Sequence, residues 1–283
     1  MSDRRFGIST HLFHDHRLVR EHLVDIAAHG FEAVEVFATR SHFDYRDAAA
    51  IRELGEWLAD TRLEFHSMHA PIVEAMKGGQ WVGPFSNASG DETRRKAAIE
   101  ETHAALEVAR IVPYRYLVVH LGIPDAERPP ASDNHPAAAR RSVEEIASLA
   151  AAVGVRVALE VIPNALCTPL ALTRLIEDEL EGVDAGVCLD YGHAHLLGDL
   201  AEAVETISGH VLSTHVHDNR RTRDEHLVPF AGSIDWDVAM MATQKIGYDG
   251  PLMFEVADTG NPIEVLSRAA AARERLEKMF VTF

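Results

Sequence analysis

The sequence predicts a single α/β barrel of the (β/α)8 type, built from eight strand and helix units. Three observations predict it. Short apolar runs alternate with longer segments of helical period, this alternation occurs eight times, and 283 residues is enough chain for such a barrel. Nearly continuous apolar runs are typical of parallel strands that are buried on both faces. No linker-like segment divides the chain, so we expect one domain over residues 1–283.

The expected strands are rich in Val, Ile, Leu and Phe. They are Phe6–Phe13, Ala33–Ala38, Glu64–Ala70, Tyr116–Gly122, Val155–Ile162, Gly186–Tyr191, Val211–His217 and Pro251–Val256. Each strand is followed by a segment with apolar residues at helical spacing. These helices are Leu18–His29, Asp47–Thr61, Glu92–Ile111, Ala137–Ala152, Pro169–Leu180, Leu200–Ile207, Trp236–Ile246 and Pro262–Phe280. Gly30, Gly154 and Gly247 follow three of them, where a left-handed C-cap is favourable.

The composition restricts the class of protein. With 47% hydrophobic and 25% charged residues the chain is globular, and its net charge of −17 disfavours non-specific binding to nucleic acid. No apolar run is long enough for a membrane span, and the N-terminus lacks a signal peptide pattern, so a cytoplasmic location is expected. The two cysteines, Cys167 and Cys188, are expected to be small core residues in a reducing compartment.

Polar residues at the ends of the strands are the most informative feature. The third to eighth strands end in a carboxylate or an imidazole, namely His69, His120, Glu160, Asp190, His215 and Glu255. The carboxyl ends of barrel strands share one face, so these groups are expected to converge there. The carboxylates of Glu160, Asp190 and Glu255 would repel one another beside His215 unless a cation lay among them. We therefore expect one divalent metal ion, and oxygen and nitrogen ligands suit Mn²⁺, Mg²⁺, Co²⁺ or Zn²⁺.

Other polar residues allow a less specific interpretation. Glu35 is either a structural hydrogen-bonding acid or a substrate contact, and His217 is expected to point away from His215 as its strand ends. The histidines at positions 11, 14 and 16 are expected to lie in a solvated loop. Two long segments after strands, Pro71–Asp91 with Trp81 and Ile123–Pro136, are expected on the same face as the site.

The chain resembles a known superfamily in a set of short motifs. These are HAP, HLG, LExxxN, LDxGH, HxHDN, DEHxxP, IDW and GYDGPxxFE, and the resemblance covers the chain from the first strand to the eighth. Together they resemble the xylose-isomerase-like TIM-barrel superfamily of sugar isomerases and epimerases, which also contains nucleases of the endonuclease IV type. By this resemblance Glu160, Asp190, His215 and Glu255 match the single-metal site of ketose 3-epimerases. His193 and Arg221 match substrate-contacting positions of that branch.

The resemblance implies a divalent-metal-dependent sugar or sugar-phosphate isomerase or epimerase that transfers a proton through an enediolate. Glu160 and Glu255 would act as bases on opposite faces of the substrate. The further substrate-binding residues would be His193, Arg221, His69, His120 and Trp81. The partner would be a small sugar, and a homo-oligomer is compatible with this class. The arginine-rich stretch Asn219–Arg223 either reads an anionic substituent or balances local acidic residues.

Two alternatives stay open. An endonuclease IV-like phosphodiesterase acting on abasic DNA would bind three zinc ions, and all the positions that match its extra ligands are present: His69, His120, His193, Asp224 and His226. The acidic balance counts against it, as does the pair Ile72 and Val73 where a bulky intercalating side chain would be expected. A catalytically silent barrel that binds a metal or a sugar is the other alternative.

Overall fold

The protein is described by a computed structural model that covers residues 4–77 and 80–281. Its strands are β1 Phe6–Ser9, β2 Ala33–Phe37, β3 Glu64–His69, β4 Val73–Lys77, β5 Gln80–Pro84, β6 Tyr116–Val119, β7 Arg156–Glu160, β8 Ala185–Asp190, β9 Val211–His215 and β10 Leu252–Phe254. The order β10-β1-β2-β3-β6-β7-β8-β9 forms one parallel sheet. A parallel bridge between Val216 and Phe254 joins its two edges, which confirms the (β/α)8 barrel.

The helices surround this barrel. They are α1 Arg20–Ala28, α2 Ala48–Thr61, α3 Glu92–Glu107, α4 Pro136–Ala151, α5 Pro169–Arg174, α6 Tyr191–Leu197, α7 Leu200–Thr206, α8 Trp236–Lys245 and α9 Pro262–Val281. Side chains such as Asp47, Asp91 and Thr168 accept the first free backbone N–H groups, so these helices begin where capping residues stand. In the part of the chain that the structure describes, no helix has the length and apolarity that crossing a membrane requires.

Two local differences from the expected elements affect the site. The first strand ends at Ser9, because residues Thr10–Phe13 form a 3₁₀ turn whose start is capped by the Ser9 hydroxyl, 3.3 Å from His11 N. The second difference is the helix α6, which starts directly after β8. Asp190 caps it by accepting from the His193 N–H at 2.6 Å.

The long segment after β3 is not a plain loop. β4 and β5 pair antiparallel as a hairpin, and the side chain of Trp81 lies on its second strand. Residues 78 and 79 of this segment lie outside the described residues. The segment after β6 contains two 3₁₀ turns, Asp125–Glu127 and Ala131–Asp133. Both segments contribute side chains to the carboxyl end of the barrel, as expected.

The apolar core lies mainly between the sheet and the helices. Its largest fully buried members include Phe13, Leu54, Leu117, Tyr191 and Phe254. Cys167 and Cys188 are free and buried, in agreement with the sequence analysis. The carboxyl ends of the strands are therefore held by a rigid, closely packed frame, which fixes the polar groups described next.

Candidate metal centre and active site

Four side chains meet at the carboxyl end of the barrel. Glu160 ends β7, Asp190 ends β8, His215 ends β9 and Glu255 follows β10 directly. Asp190 and His215 are direct neighbours in the sheet, and Glu160 pairs with Cys188, two residues before Asp190. One ligand atom from each of the four lies within 4.8 Å of the others, and all four residues are buried. The structure therefore brings together the four residues that the sequence analysis grouped as metal ligands.

The ring of His215 shows which nitrogen faces this centre. Its Nδ1 lies 3.2 Å from Glu160 Oε1 and 3.2 Å from Glu255 Oε2. Its Nε2 lies 3.1 Å from both carboxylate oxygens of Glu35, and Ser67 Oγ donates to Glu35 Oε2 at 2.8 Å. Of the two interpretations of Glu35, a structural hydrogen-bonding acid or a substrate contact, the structure supports the first, because Glu35 orients the His215 ring from the side opposite to the centre.

A second group shares Glu160 with the centre. His69 Nε2 and His120 Nε2 lie 3.1 Å and 2.9 Å from Glu160 Oε2, so both approach the same oxygen. All three residues are buried, and their donor atoms also lie within 4.8 Å of one another. Glu160 Oε1 meanwhile faces His215 at 3.2 Å. The two oxygens of the Glu160 carboxylate thus contact different histidines: Oε2 contacts His69 and His120, and Oε1 contacts His215.

A third group lies on the other side of His193. Asp224 Oδ2 is 3.0 Å from His193 Nε2 and 3.0 Å from His226 Nε2. His217 belongs to the same group, and its Nε2 lies 3.0 Å from Asp190, so the expectation that this histidine points away is wrong. The bend of the chain into α6 brings Asp190 against it. Gly192 is needed there, because a Cβ at this position would lie 2.0 Å from His217 Cε1.

The electrostatics of the centre are those of buried carboxylates held by imidazoles. Burial would raise the pKa of Glu160, but His120 and His215 lower it well below its ordinary value. Burial likewise opposes the ionised form of Glu255, whose pKa His215 and His226 lower. Burial would lower the pKa of His193, but Asp190 and Asp224 raise it well above its ordinary value. Both glutamates are therefore carboxylates at neutral pH.

The donor set fits a divalent cation. Within residues 4–77 and 80–281, Glu160, Asp190 and Glu255 form no ion pair with Lys or Arg, and their cationic partners are histidines alone. Buried carboxylates need a positive partner, and three carboxylates with one imidazole are a ligand set that divalent metals accept. The residues present thus agree with a metal at the four-ligand centre.

A cavity of about 500 Å³ opens above these groups. Its lining includes His69, His120, Glu160, His193 and Glu255 on the floor. Trp81, a predicted substrate-binding residue, lies in the wall of this cavity. Around the floor the cavity is lined by His11, His14, Phe37, Ile72, Pro124, Ala126, Glu127, Pro163, Leu196, Thr222, Arg223, Asp224 and His226.

The expectation of a solvated histidine loop after β1 is wrong for two of its three residues. His11 and His14 stack at 4.6 Å between ring centroids, and His11 also meets Phe37 at 5.0 Å and His226 at 5.0 Å. The 3₁₀ turn directs both rings into the cavity, whereas His16 is exposed. Burial lowers the pKa of His11 well below its ordinary value, so this ring is neutral.

Arg221 lies outside the cavity lining, in contrast to its neighbours Thr222 and Arg223. Its Nη2 donates to the Gly198 carbonyl at 2.8 Å, and its backbone adopts the left-handed conformation with φ of 62°. Arg220 pairs with Glu225 at 2.7 Å, and Arg223 lies 3.5 Å from the same carboxylate. Two of the three arginines thus lie close to an acidic residue of their own loop. This favours the interpretation that the arginine-rich stretch balances local acidic residues.

Comparison with known proteins identifies the family. The profile described as a xylose isomerase-like TIM barrel matches residues 23–280. The chain belongs to this family. The resemblance seen in the motifs is thereby confirmed. The matched range includes the ends of the strands that carry Glu160, Asp190, His215 and Glu255.

The chain is also similar to individual proteins. An uncharacterized protein of Methanocaldococcus jannaschii, MJ1311, is 27% identical and covers 98% of this chain and 95% of its own. The inosose isomerase of Bacillus velezensis is 21% identical and covers 81% of this chain and 79% of its own. The crystal structure of a D-tagatose 3-epimerase-like protein superposes with a TM-score of 0.78 at 25% identity, covering 98% of this chain and 97% of that chain. Sugar isomerases and epimerases are thus among its neighbours.

Proposed function

We propose that the protein is a divalent-metal-dependent sugar isomerase or epimerase that works by proton transfer through an enediolate. The observation that carries the proposal is the convergence of Glu160, Asp190, His215 and Glu255 within 4.8 Å beneath a cavity of about 500 Å³. A buried set of this kind, open on one side to a cavity of sugar-accommodating size, is suited to a polyhydroxy ligand. The similarity to sugar isomerases and epimerases supports the same class.

Glu160, Asp190, His215 and Glu255 would hold the metal. When bound, it would supply positive charge against the negative charge that develops on the substrate oxygens. Glu35 fixes the His215 ring so that Nδ1 faces the centre. These residues set the position of the reacting carbon relative to the two glutamates.

Glu160 and Glu255 would move the proton. They come from β7 and from the end of β10, which are separated in the sheet by β8 and β9, so they reach the centre from different sides. Both are ionised, since neighbouring histidines lower their pKa values. One glutamate would remove the proton from one face of the substrate carbon, and the other would return it on the opposite face.

His193 and Trp81 would complete the site. His193 Nε2 is held by Asp224, and its Nδ1 lies 3.0 Å from the Val161 carbonyl, so the ring is fixed at the edge of the floor, where it would adjoin a bound sugar. Trp81 closes the wall contributed by the hairpin and would exclude water from the reacting carbon. His69 and His120 hold Glu160 Oε2 and orient that carboxylate.

A second candidate function is favoured by one specific observation. Beside the central four-ligand group lie two further donor groups: His69, His120 and Glu160; and His193, His217, Asp224 and His226. Three neighbouring groups would suit a trinuclear phosphodiesterase of the endonuclease IV type. We rank it second because the chain carries a net charge of −17 and because the cavity is lined by a single arginine among the described residues.

The proposal is tested by solvent exchange. The purified protein is stripped with EDTA and reloaded with Mn²⁺, Mg²⁺, Co²⁺ or Zn²⁺, and a panel of free ketoses and their phosphates is incubated with each form in deuterated water. We expect epimerisation or isomerisation with deuterium on the carbon next to the carbonyl, in the reloaded forms only. Equal turnover in the stripped protein would contradict the proposal.

A further inference from the structure

The cavity above the metal centre has two chemically different parts. Its floor is formed by carboxylates and imidazoles. Its outer wall is formed by apolar side chains from three segments of the chain and from helix α6: Ile72, Trp81, Pro124, Ala126, Pro163 and Leu196. All six retain solvent exposure, so this wall is not part of the packed core. A partly exposed apolar surface that adjoins a polar floor is a surface on which a ligand can bury apolar area.

The cavity is larger than one sugar ring requires. Its volume is about 500 Å³, within the range of about 300 to 1,000 Å³ of sites that take drug-sized ligands. A ketose whose carbonyl end lies over Glu160 and Glu255 would occupy the floor and leave the space beside the apolar wall open. The far end of such a substrate would therefore face the surface formed by Trp81, Leu196 and the prolines.

The charges around this outer part do not favour a phosphate there. Among the described residues of the lining, Arg223 is the only Arg or Lys, its side chain is 78% exposed, and it lies 3.5 Å from Glu225. Glu127 also lines the cavity. A phosphate binds best to several directed donors or to an unshared arginine, and here it would meet a carboxylate and one solvated cation already near an acid.

We propose that the natural substrate is a sugar that carries an uncharged apolar substituent at the end remote from its carbonyl group, such as a glycosidic aglycone, an ether or an acyl group. The sugar would lie on the polar floor and the substituent against the wall formed by Ile72, Trp81, Pro124, Ala126, Pro163 and Leu196. This inference rests on the proposed sugar isomerase or epimerase function, and it excludes sugar phosphates as the preferred class.

The size of the effect follows from the area that the wall can cover. A tenfold gain in affinity corresponds to about 1.4 kcal/mol, which requires roughly 60 Å² of apolar surface to leave the water. One face of a phenyl ring against an indole ring and a leucine side chain supplies an area of that order. We therefore expect at least about a tenfold preference for a phenyl-bearing ligand over the unsubstituted sugar.

The test uses matched ligands that differ only at the remote end. D-Fructose, D-tagatose and D-psicose are each compared as the free sugar, the 6-phosphate and the 6-O-benzyl ether, and dissociation constants are measured by calorimetry with the metal-loaded full-length protein. We expect the benzyl ether of at least one sugar to bind about tenfold more tightly than the free sugar, and the phosphate to bind no more tightly than the free sugar. If none of the three benzyl ethers binds more tightly than its free sugar, or if a phosphate binds best, this inference alone is overturned. Absence of binding by all nine ligands overturns the proposed function together with it.

Variants locate the effect on the wall. Leu196→Ala and Trp81→Ala should each reduce the ratio between the affinities of the benzyl ether and the free sugar by several fold. Leu197→Ala is the matched control, because Leu197 is the next residue of the same helix and lies outside this cavity lining. An unchanged ratio in both wall variants, or an equal loss in the control, would contradict the assignment of the wall.

Discussion

Glu35 and His215 form a buried pair in which both carboxylate oxygens lie 3.1 Å from His215 Nε2. Neither side chain is exposed to solvent, and the opposite ring nitrogen faces the carboxylates of the metal centre. A metal-binding histidine is commonly oriented by such an acid, which fixes its tautomer and increases the basicity of the ligating nitrogen. Glu35 would thereby support the proposed metal binding from outside the ligand set.

The first prediction concerns this pair. Glu35→Gln keeps a hydrogen-bond acceptor but removes the negative charge, so it should weaken divalent metal binding by roughly 10- to 100-fold. Competition with a chelating dye measures the affinity without any assay of turnover. Glu32→Gln, an exposed glutamate just before β2, serves as the control and should bind metal like the unchanged protein. Equal affinities in both variants would show that the Glu35 charge is not required.

The second prediction concerns metal content. The four-ligand centre is fully buried, whereas the third group includes Asp224, whose side chain is 35% exposed. We expect about one tightly held divalent ion per chain, with His69, His120, Asp224 and His226 orienting neighbouring groups instead of holding further ions tightly. Elemental analysis after dialysis measures this number. Three retained zinc ions, together with cleavage of abasic duplex DNA, would favour the phosphodiesterase.

The third prediction separates the two bases. Glu160→Gln and Glu255→Gln should each abolish interconversion of the two sugars. Each variant should incorporate deuterium into at most one of the two sugars, because the remaining base reaches only one face of the substrate carbon. Mass spectrometry of the recovered sugars measures the exchange, and the metal content of both variants must be determined, since each glutamate is also a ligand. Undiminished turnover in either variant would remove that glutamate from the mechanism.

The fourth prediction concerns stability at the opposite end of the barrel. Around Glu64, the neighbouring His66, Arg5 and Arg115 lower its pKa from 4.5 to about 2, with Arg115 Nε at 2.9 Å. Because the folded value lies below the unfolded value, this carboxylate stabilises the fold above about pH 4.5, and the stabilisation disappears as the pH falls towards 2.

Glu64→Gln should therefore lower the Tm near neutral pH by roughly 2–4 °C, the shift that about 1 kcal/mol produces in a domain of this size once solvent screening is allowed for. Thermal unfolding followed by circular dichroism at several pH values measures the difference, which should shrink below about pH 4.5. The exposed Glu53→Gln is the control. A difference in Tm that is independent of pH would contradict the role of the Glu64 charge.

The sequence was sufficient for the barrel and for the four-ligand centre. Parallel strands that are buried on both faces appear in the sequence as nearly continuous runs of Val, Ile and Leu. Charged groups at the carboxyl ends of such strands lie on one face of the barrel. Glu160, Asp190, His215 and Glu255 could be grouped on this basis. The register of the sheet, which sets Asp190 beside His215, then follows from the fold.

The residues around the four-ligand centre could not be assigned roles from the sequence, because their positions depend on local backbone geometry and on contacts between distant segments. Glu35 lies in the middle of β2, and only the bond from Ser67 and the position of His215 show its role. His11 enters the cavity because the chain turns into a 3₁₀ helix after four residues of strand. Asp218 accepts hydrogen bonds from Phe230 N, Ile234 N and Trp236 Nε1. Asp218 belongs to the HDN motif, but the motif does not indicate which distant groups this side chain binds.

The carboxylate of Glu160 couples two donor groups, because it belongs to both of them. Its Oε2 is held only by His69 and His120 among the described residues, and its Oε1 faces His215. Substitution of those two histidines would remove one donor group and leave Oε2 without these partners, while Oε1 would keep its contact with His215. Loss of the His69 and His120 group would therefore also release one half of the carboxylate that the four-ligand centre uses.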